Sequence, residues 1–257
     1  MTQNIERFLQ RYSVSRLDTD LSLLKAIASA YKNLPYENVT KILKESGANG
    51  SMQRLRYTEE LLEDHLLRRT GGTCFSLCNA LQQILHHCAF EAFIGMADMH
   101  YGTNIHCAVV ATTQGDKYLL DPGYLLHEPI PLPKVEVVRN TPMNQVILRN
   151  EGNDIYSLYT IESRQEKWRY RLRAQPVSTE EFDRHWDHSF SLNSMEHVTL
   201  SLVSDTGRLY YRKDKLELVR PQQRTSQKVS AGESQMLASM FGLPPDLIAQ
   251  AQKLVNR

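Results

Sequence analysis

The sequence predicts an α+β protein: helices first, then strands, then a mixed segment closing the chain. Three observations carry this. Apolar residues recur at helical spacing through the first third of the chain. Near residue 90 the texture switches to short apolar or alternating runs punctuated by Gly, Pro and Asp. Beyond residue 232 a helical period returns.

Residues 5–46 read as mostly helical, with Leu21, Leu24, Ile27 and Ala28 on one stripe and Leu34-Pro35-Tyr36 interrupting it. Residues 47–53 are expected to loop. A helix is expected over 58–67, with Thr58 as N-cap and Glu59 and Glu60 in its first turn. Leu77, Cys78, Leu81, Ile84, Leu85 and Cys88 share one face of the next helix, which follows Thr70-Gly71-Gly72-Thr73-Cys74. Strands are expected at 92–96, 106–113 and 118–121, the last two joined as a hairpin around Gln114–Asp116. Further strands fall at 135–138, 145–149 and 155–161. Residues 198–203 and 208–211 flank Ser204-Asp205-Thr206-Gly207 as a second hairpin. The basic and aromatic run 164–171 reads as a strand with a solvated face, or as a contact for acyl-CoA phosphates. Residues 221–232 read as a polar loop, and 233–256 as helical with a break at 242–245.

The chain has 257 residues, enough for one large domain or a few packed subdomains. Its formal net charge of +1 gives no global drive toward nucleic acid or anionic membrane, so neither is expected as a partner. No apolar run approaches the roughly 18 residues of a membrane span. The first residues lack the basic-then-apolar pattern of a signal peptide, so a cytoplasmic location is expected, with the four cysteines as thiols.

Cys74 is the residue most suited to chemistry. Glycines before it let the backbone turn and a substrate approach closely. A cysteine opening a helix gains thiolate character from the unpaired N–H groups there, which also stabilise an oxyanion. A nucleophilic thiol needs a base, and the base an orienting group. His106 and Asp121 lie on the two arms of the first hairpin, and the register decides whether they meet. A turn at Thr113-Gln114 puts them directly opposite. A turn at Gln114-Gly115 puts Ala108 opposite Asp121, with His106 a diagonal neighbour on the same face. A three-residue loop puts Asp121 on the wrong face unless a bulge intervenes. Cys78, Cys88 and Cys107 read as packing residues. A metal site built from Cys74, Cys78, His86, His87 and Cys88, with His100, His106 and Cys107, is not expected, because no Cys-x-x-Cys spacing is present and a straight helix holds Cys78 about 12 Å from His86.

Four segments in order, Leu34-Pro35-Tyr36-Glu37-Asn38-Val39, Gly71-Gly72-Thr73-Cys74-Phe75, His106-Cys107-Ala108-Val109 and Leu119-Leu120-Asp121-Pro122-Gly123-Tyr124, resemble the arylamine N-acetyltransferase family. The resemblance implies a helical domain over 1–89, a β-barrel over 90–176 and a C-terminal α/β lid over 177–257. It implies Cys74 as nucleophile, His106 as base and Asp121 as orienter. It also implies transfer of an acetyl group from acetyl-CoA, a cosubstrate rather than a bound cofactor, through a Cys74 thioester to an arylamine or hydrazine. Tyr36, Thr73, Phe75, Gly123 and Tyr124 flank these motifs and are the expected substrate contacts, the aromatic ones as walls for a flat acceptor. The chain departs from the family pattern in places. Thr70 stands where Arg usually precedes Gly-Gly, Ser76 and Cys78 replace Glu and Asn, and Leu125 replaces the second glycine after the aspartate. A transglutaminase-like or peptidase-like cysteine enzyme, or an amide synthase for a larger acyl chain, shares the Cys, His, Asp order.

Overall fold

The structure is a computed structural model that describes residues 2–15, 20–47, 51–162, 164–221, 223–229 and 233–255. Parts of four expected segments, 16–19, 48–50, 222 with 230–232, and 256, lie outside the described residues. The first layer is helical: α1 (Thr2–Arg11), α2 (Asp20–Tyr31), a short strand β1 (Tyr36–Glu37), α3 (Val39–Gly47), α4 (Ser51–Arg54), α5 (Thr58–Arg68) and α6 (Cys74–His87). Eight strands follow: β2 (Glu91–Met99), β3 (Gly102–Thr113), β4 (Asp116–Asp121), β5 (Leu126–Pro131), β6 (Glu136–Asn140), β7 (Gln145–Gly152), β8 (Ile155–Glu162) and β9 (Gln165–Arg173). The chain closes with α7 (Thr179–His188), β10 (Thr199–Ser204), β11 (Gly207–Arg212), β12 (Lys215–Arg220), β13 (Gln223–Lys228), α8 (Ser234–Phe241) and α9 (Pro245–Val255).

The eight strands form one antiparallel sheet in the order β5-β4-β3-β2-β9-β8-β7-β6. It curls into a nearly closed barrel: Leu126 and Ile130 from one edge strand share an interior cluster with Val146, Leu148, Leu158, Tyr170 and Leu172, and Val137 from the other edge packs on it. The outer face of β2 and β3 carries Ile94, Met96, Cys107, Val109 and Ala111, and these pack on Leu77, Cys78, Leu81 and Leu85 of α6. The α+β expectation therefore holds, because alternation along β3 serves two cores at once. Phe182 and Trp186 of α7 join the helical core.

A second antiparallel sheet runs β1-β10-β11-β12-β13. Its first strand comes from the N-terminal layer, with Tyr36 opposite Ser201. One face buries Leu200, Tyr211 and Leu216 against α3, α8 and α9.

Some local expectations are corrected. Residues 51–53 of the expected loop belong to α4. Thr58 is the first residue of α5 and Tyr57 its N-cap; the Thr58 hydroxyl donates to Asn79 Oδ1 on α6 at 2.8 Å instead of capping its own helix. The expected polar loop 221–232 contains β13, paired along its length with β12. All six of its residues are exposed, so backbone hydrogen bonds hold it and no apolar period marks it. Helix α7 has a sequence start signal outside the expected helices, since Ser178 caps it by accepting the Glu181 N–H. β3 begins four residues before His106, which sits inside the strand.

Candidate active site

The hairpin register brings the site together. Thr113 pairs with Asp116 and Val109 with Leu120, so the turn is Gln114-Gly115. Both turn residues have positive φ, 53° and 83°, as a tight hairpin turn requires. Continuing the pairing puts Ala108 opposite Asp121 and leaves His106 as its diagonal neighbour on the barrel-facing side. Their side chains meet there, with His106 Nε2 2.8 Å from Asp121 Oδ2. The other Asp121 oxygen accepts the Tyr124 N–H at 2.8 Å, which fixes the carboxylate. The Tyr170 ring lies 4.9 Å from the imidazole.

Cys74 opens α6 after Thr73, whose side chain makes no cap. The first-turn N–H groups therefore have no capping side chain over them. With Nε2 engaged by Asp121, the other ring nitrogen of His106 is left for the Cys74 thiol, whose influence raises the imidazole pKa. Burial acts to lower the His106 pKa, but the Asp121 charge, its hydrogen bond and Cys74 outweigh it and hold the imidazole well above its usual range. A hydrogen bond from the Cys107 thiol, the bond and charge of His106, and the Lys41 ammonium together push Cys74 well below an ordinary thiol, against the effect of burial. Thiolate and imidazolium are thus the favoured pair.

Several neighbours hold this geometry. A side chain on Gly123 would place its Cβ 2.5 Å from Cys74 Cβ and 3.1 Å from His106 Cε1, so only glycine lets the Asp121 loop approach the nucleophile. Gly71 is equally closed in, with a virtual Cβ 1.8 Å from the Pro35 carbonyl oxygen. Arg56, from the segment before α5, donates to the Gly71 carbonyl at 2.7 Å and to the Thr40 hydroxyl at 2.8 Å, and lies 3.1 Å from Asp64. It also reaches Thr70 Oγ1, so a guanidinium occupies the space beside Gly-Gly although position 70 is threonine. Glu37 is wholly buried and accepts from the Thr40 N–H and hydroxyl. Lys41 is also buried, donates to the Ser189 carbonyl and hydroxyl, and is pulled down to about 8 by burial.

The other sequence-picked residues divide. Tyr36 is near enough to feel the Cys74 charge. Tyr124 packs edge-on against Tyr170 at 5.9 Å. Thr73 is buried, and its carbonyl accepts from Ser76 and Leu77. Phe75 is a correction: it is 1% exposed and packs on Phe182 at 5.5 Å and Trp186 at 6.4 Å, so it is a core residue and offers no wall to an acceptor. The physical reason is helical direction, since the residue after an N-terminal cysteine projects toward α7. The charges of 165–171 pair locally, Glu166 with Arg149, Lys167 and Arg169 with Glu162, and Arg171 with Glu151, which is the solvated-face reading. Lys41, Arg56, Tyr101, Arg208 and Arg212 were not singled out, because they come from four separate segments. Among the described residues no group of three or more His, Cys, Asp or Glu is placed to hold a metal ion.

A family model described as N-acetyltransferase matches residues 20–247. The chain belongs to the arylamine N-acetyltransferase family and is an enzyme of that class. Its fold is similar to solved arylamine N-acetyltransferases. The one from Mycobacterium abscessus gives a TM-score of 0.84 at 15% identity, covering 100% of this chain and 98% of that one. The one from Mycobacterium smegmatis gives 0.81 at 22% identity, covering 96% of each chain. A Bacillus cereus arylamine N-acetyltransferase, described as having a unique Cys-His-Glu catalytic triad, gives 0.74 at 19% identity, covering 95% of this chain and 99% of that one. At such identities these likenesses speak for the fold alone. A sequence comparison with curated proteins returns no match. No helix among the described residues is long and apolar enough to cross a membrane.

Proposed function

We propose that this enzyme moves an acetyl or other small acyl group from acyl-CoA to an arylamine or hydrazine nitrogen through a thioester on Cys74. The observation that carries this reading is the buried chain from Cys74 through His106 to Asp121, with the His106–Asp121 contact at 2.8 Å. The Cys74 thiolate attacks the acyl-CoA carbonyl, and the N–H groups opening α6 stabilise the oxyanion. CoA leaves with the proton of the His106 imidazolium. The amine then attacks the acyl-cysteine, His106 accepts its proton, and the Cys74 thiolate is released. Asp121 keeps one ring nitrogen of His106 aimed at the sulfur throughout.

In this reading residues 1–89 carry the nucleophile and 90–176 the base and its orienter, while 177–257 cover the site and keep water from the thioester. Acetyl-CoA is the donor and is consumed as a cosubstrate, the enzyme needs no metal, and it works in the cytoplasm.

Intact-protein mass spectrometry after mixing with acetyl-CoA and longer acyl-CoAs tests this. An acyl adduct on the wild type that is absent from Cys74→Ala and discharged by an arylamine is the expected result. Absence of any adduct, together with cleavage of a glutamine-containing peptide, would move the assignment to a transglutaminase-like or peptidase-like enzyme.

A further inference from the structure

A cavity of about 330 Å³ lies between α2, the start of β5, the turn from β6 to β7 and the turn from β10 to β11. This size is at the lower end of the range for small-molecule sites. Its apolar lining is Leu125, Leu126, Pro129, Ile130, Pro142 and Val203, and no triad residue borders it. Leu125 and Val203 cluster with Met143, and Tyr36 packs on the same cluster. The cavity therefore sits behind the loop that runs from Asp121 to Leu125.

His127 borders this cavity, and both of its ring nitrogens are buried without a hydrogen-bond partner among the described residues. The other buried histidines are satisfied, His65 by Tyr12 and Thr70, and His106 by Asp121. Leaving a buried donor and a buried acceptor unmade is costly, and a ligand that pairs with them relieves the cost. Burial, with Lys32 nearby, lowers the His127 pKa to about 4, so the ring is neutral at pH 7 and has one N–H to donate.

The charges around the cavity are not balanced. Lys25, Lys32 and Arg139 border it, as do the carboxylates of Glu128 and Asp205, which leaves one net positive charge. Asp205 is engaged with Lys32 at 3.7 Å. Lys25 makes no ion pair among the described residues. Arg139 donates to the neutral Val138 carbonyl at 2.9 Å, a bond that adds no counter-charge. An apolar floor, a cationic rim and a vacant N–H together suit a monoanion with an apolar body.

We propose that this cavity is a second binding site, apart from the acyl-transfer centre, for a small organic anion. Its apolar body lies on Leu125, Ile130 and Val203. Its charged end accepts from His127 and is neutralised by Lys25 and Arg139. The proposal stands independently of the acyl-transfer reading, because no triad residue takes part.

Calorimetric titration of the full chain with 4-phenylbutyrate and with the neutral 4-phenylbutanol tests this. The acid should bind at a single site and more tightly than the alcohol. Lys25 and Arg139 lie at the exposed rim. Lys25→Gln and Arg139→Gln should each weaken the acid about threefold and leave the alcohol unchanged, as expected for a solvent-exposed charge contact. Ser29→Trp, on the exposed side of α2 at the cavity, should abolish binding of both while circular dichroism is preserved. NMR gives the location. The His127 Cε1–H resonance, assigned by its absence in His127→Phe, should shift when the acid is added, and Cys74→Ala should keep both the binding and the shift. No binding of the acid, or equal affinity for acid and alcohol, would overturn the proposal. So would binding retained in Ser29→Trp, an unmoved His127 resonance, or an affinity indifferent to both rim variants, each of which would place the probe elsewhere on the protein.

Discussion

The triad and strand β11 differ in how their polar groups are satisfied. On the triad wall nearly every buried charge has a partner: His106 has Asp121, Asp121 also has the Tyr124 N–H, and Glu37 has Thr40. On the β11 wall two arginines have buried nitrogens with no partner among the described residues. A site that makes and breaks bonds needs fixed geometry before substrate arrives, so its groups are tied to one another. Strand β11 is not tied down in this way.

Breaking the paired wall should give the largest effects. Asp121→Asn keeps the shape but offers an amide where His106 needs a carboxylate, so turnover should fall by a factor on the order of a thousand while circular dichroism is preserved. Turnover within tenfold of the wild type would mean that Asp121 does not orient the base.

Arg56 is next. Arg56→Met removes the donors to Gly71 and Thr40 and leaves buried Glu37 without its nearest cation, 3.9 Å away. Loss of one partner of a buried ion pair costs about 3–5 kcal/mol. A fall in Tm and a drop in kcat are expected together, because the Gly71-Gly72 loop loosens. An unchanged Tm would show that the loop is held by Pro35 alone.

The third test uses acid. His65 Nδ1 donates to the Thr70 carbonyl (2.8 Å), its Nε2 accepts from the Tyr12 hydroxyl (2.6 Å), and burial lowers its pKa to about 4. Below about 6.5 the unfolded chain takes up a proton that the folded one refuses until about pH 4, so stability falls as pH drops across that window. The loss from this group is about 3 kcal/mol. Urea midpoints from pH 7 to 4 should decline less steeply in His65→Gln than in the wild type.

The smallest effect concerns rate rather than loss. Alkylation of Cys74 by iodoacetamide should stay fast at mildly acidic pH, since its thiol is held well below the usual range. In His106→Ala the profile should move toward the ordinary thiol value of about 8.5. An unmoved profile would assign the activation to Cys107 and Lys41 instead.

Leu125 shows how the chain departs from its family locally. It occupies a left-handed backbone position, φ 61°, where the family pattern has glycine, and its side chain is buried with Met143 and Val203. The strain of roughly 1–2 kcal/mol is offset by about as much apolar burial. Sequence alone identified the substitution but not the reason it is tolerated.

What the sequence determined by itself was local. Helical stripes, hairpin turns and the Gly-Gly-Thr-Cys start of α6 are written in spacing over ten or so residues, and so were legible. The hairpin carrying His106 and Asp121 is legible except for its register, because the sequence allows three turn placements and only the pairing of Thr113 with Asp116 selects Gln114-Gly115. β13 was invisible because it is polar on both faces and exists through its ladder with β12. Tertiary structure alone decided that Phe75 is core, that Arg56 reaches Gly71 from fifteen residues away, and that β1 joins a sheet whose other strands begin at residue 199. The reason is common to all of these. Burial, charge compensation and sheet neighbours depend on which distant segments meet, and no periodicity in the chain encodes that meeting.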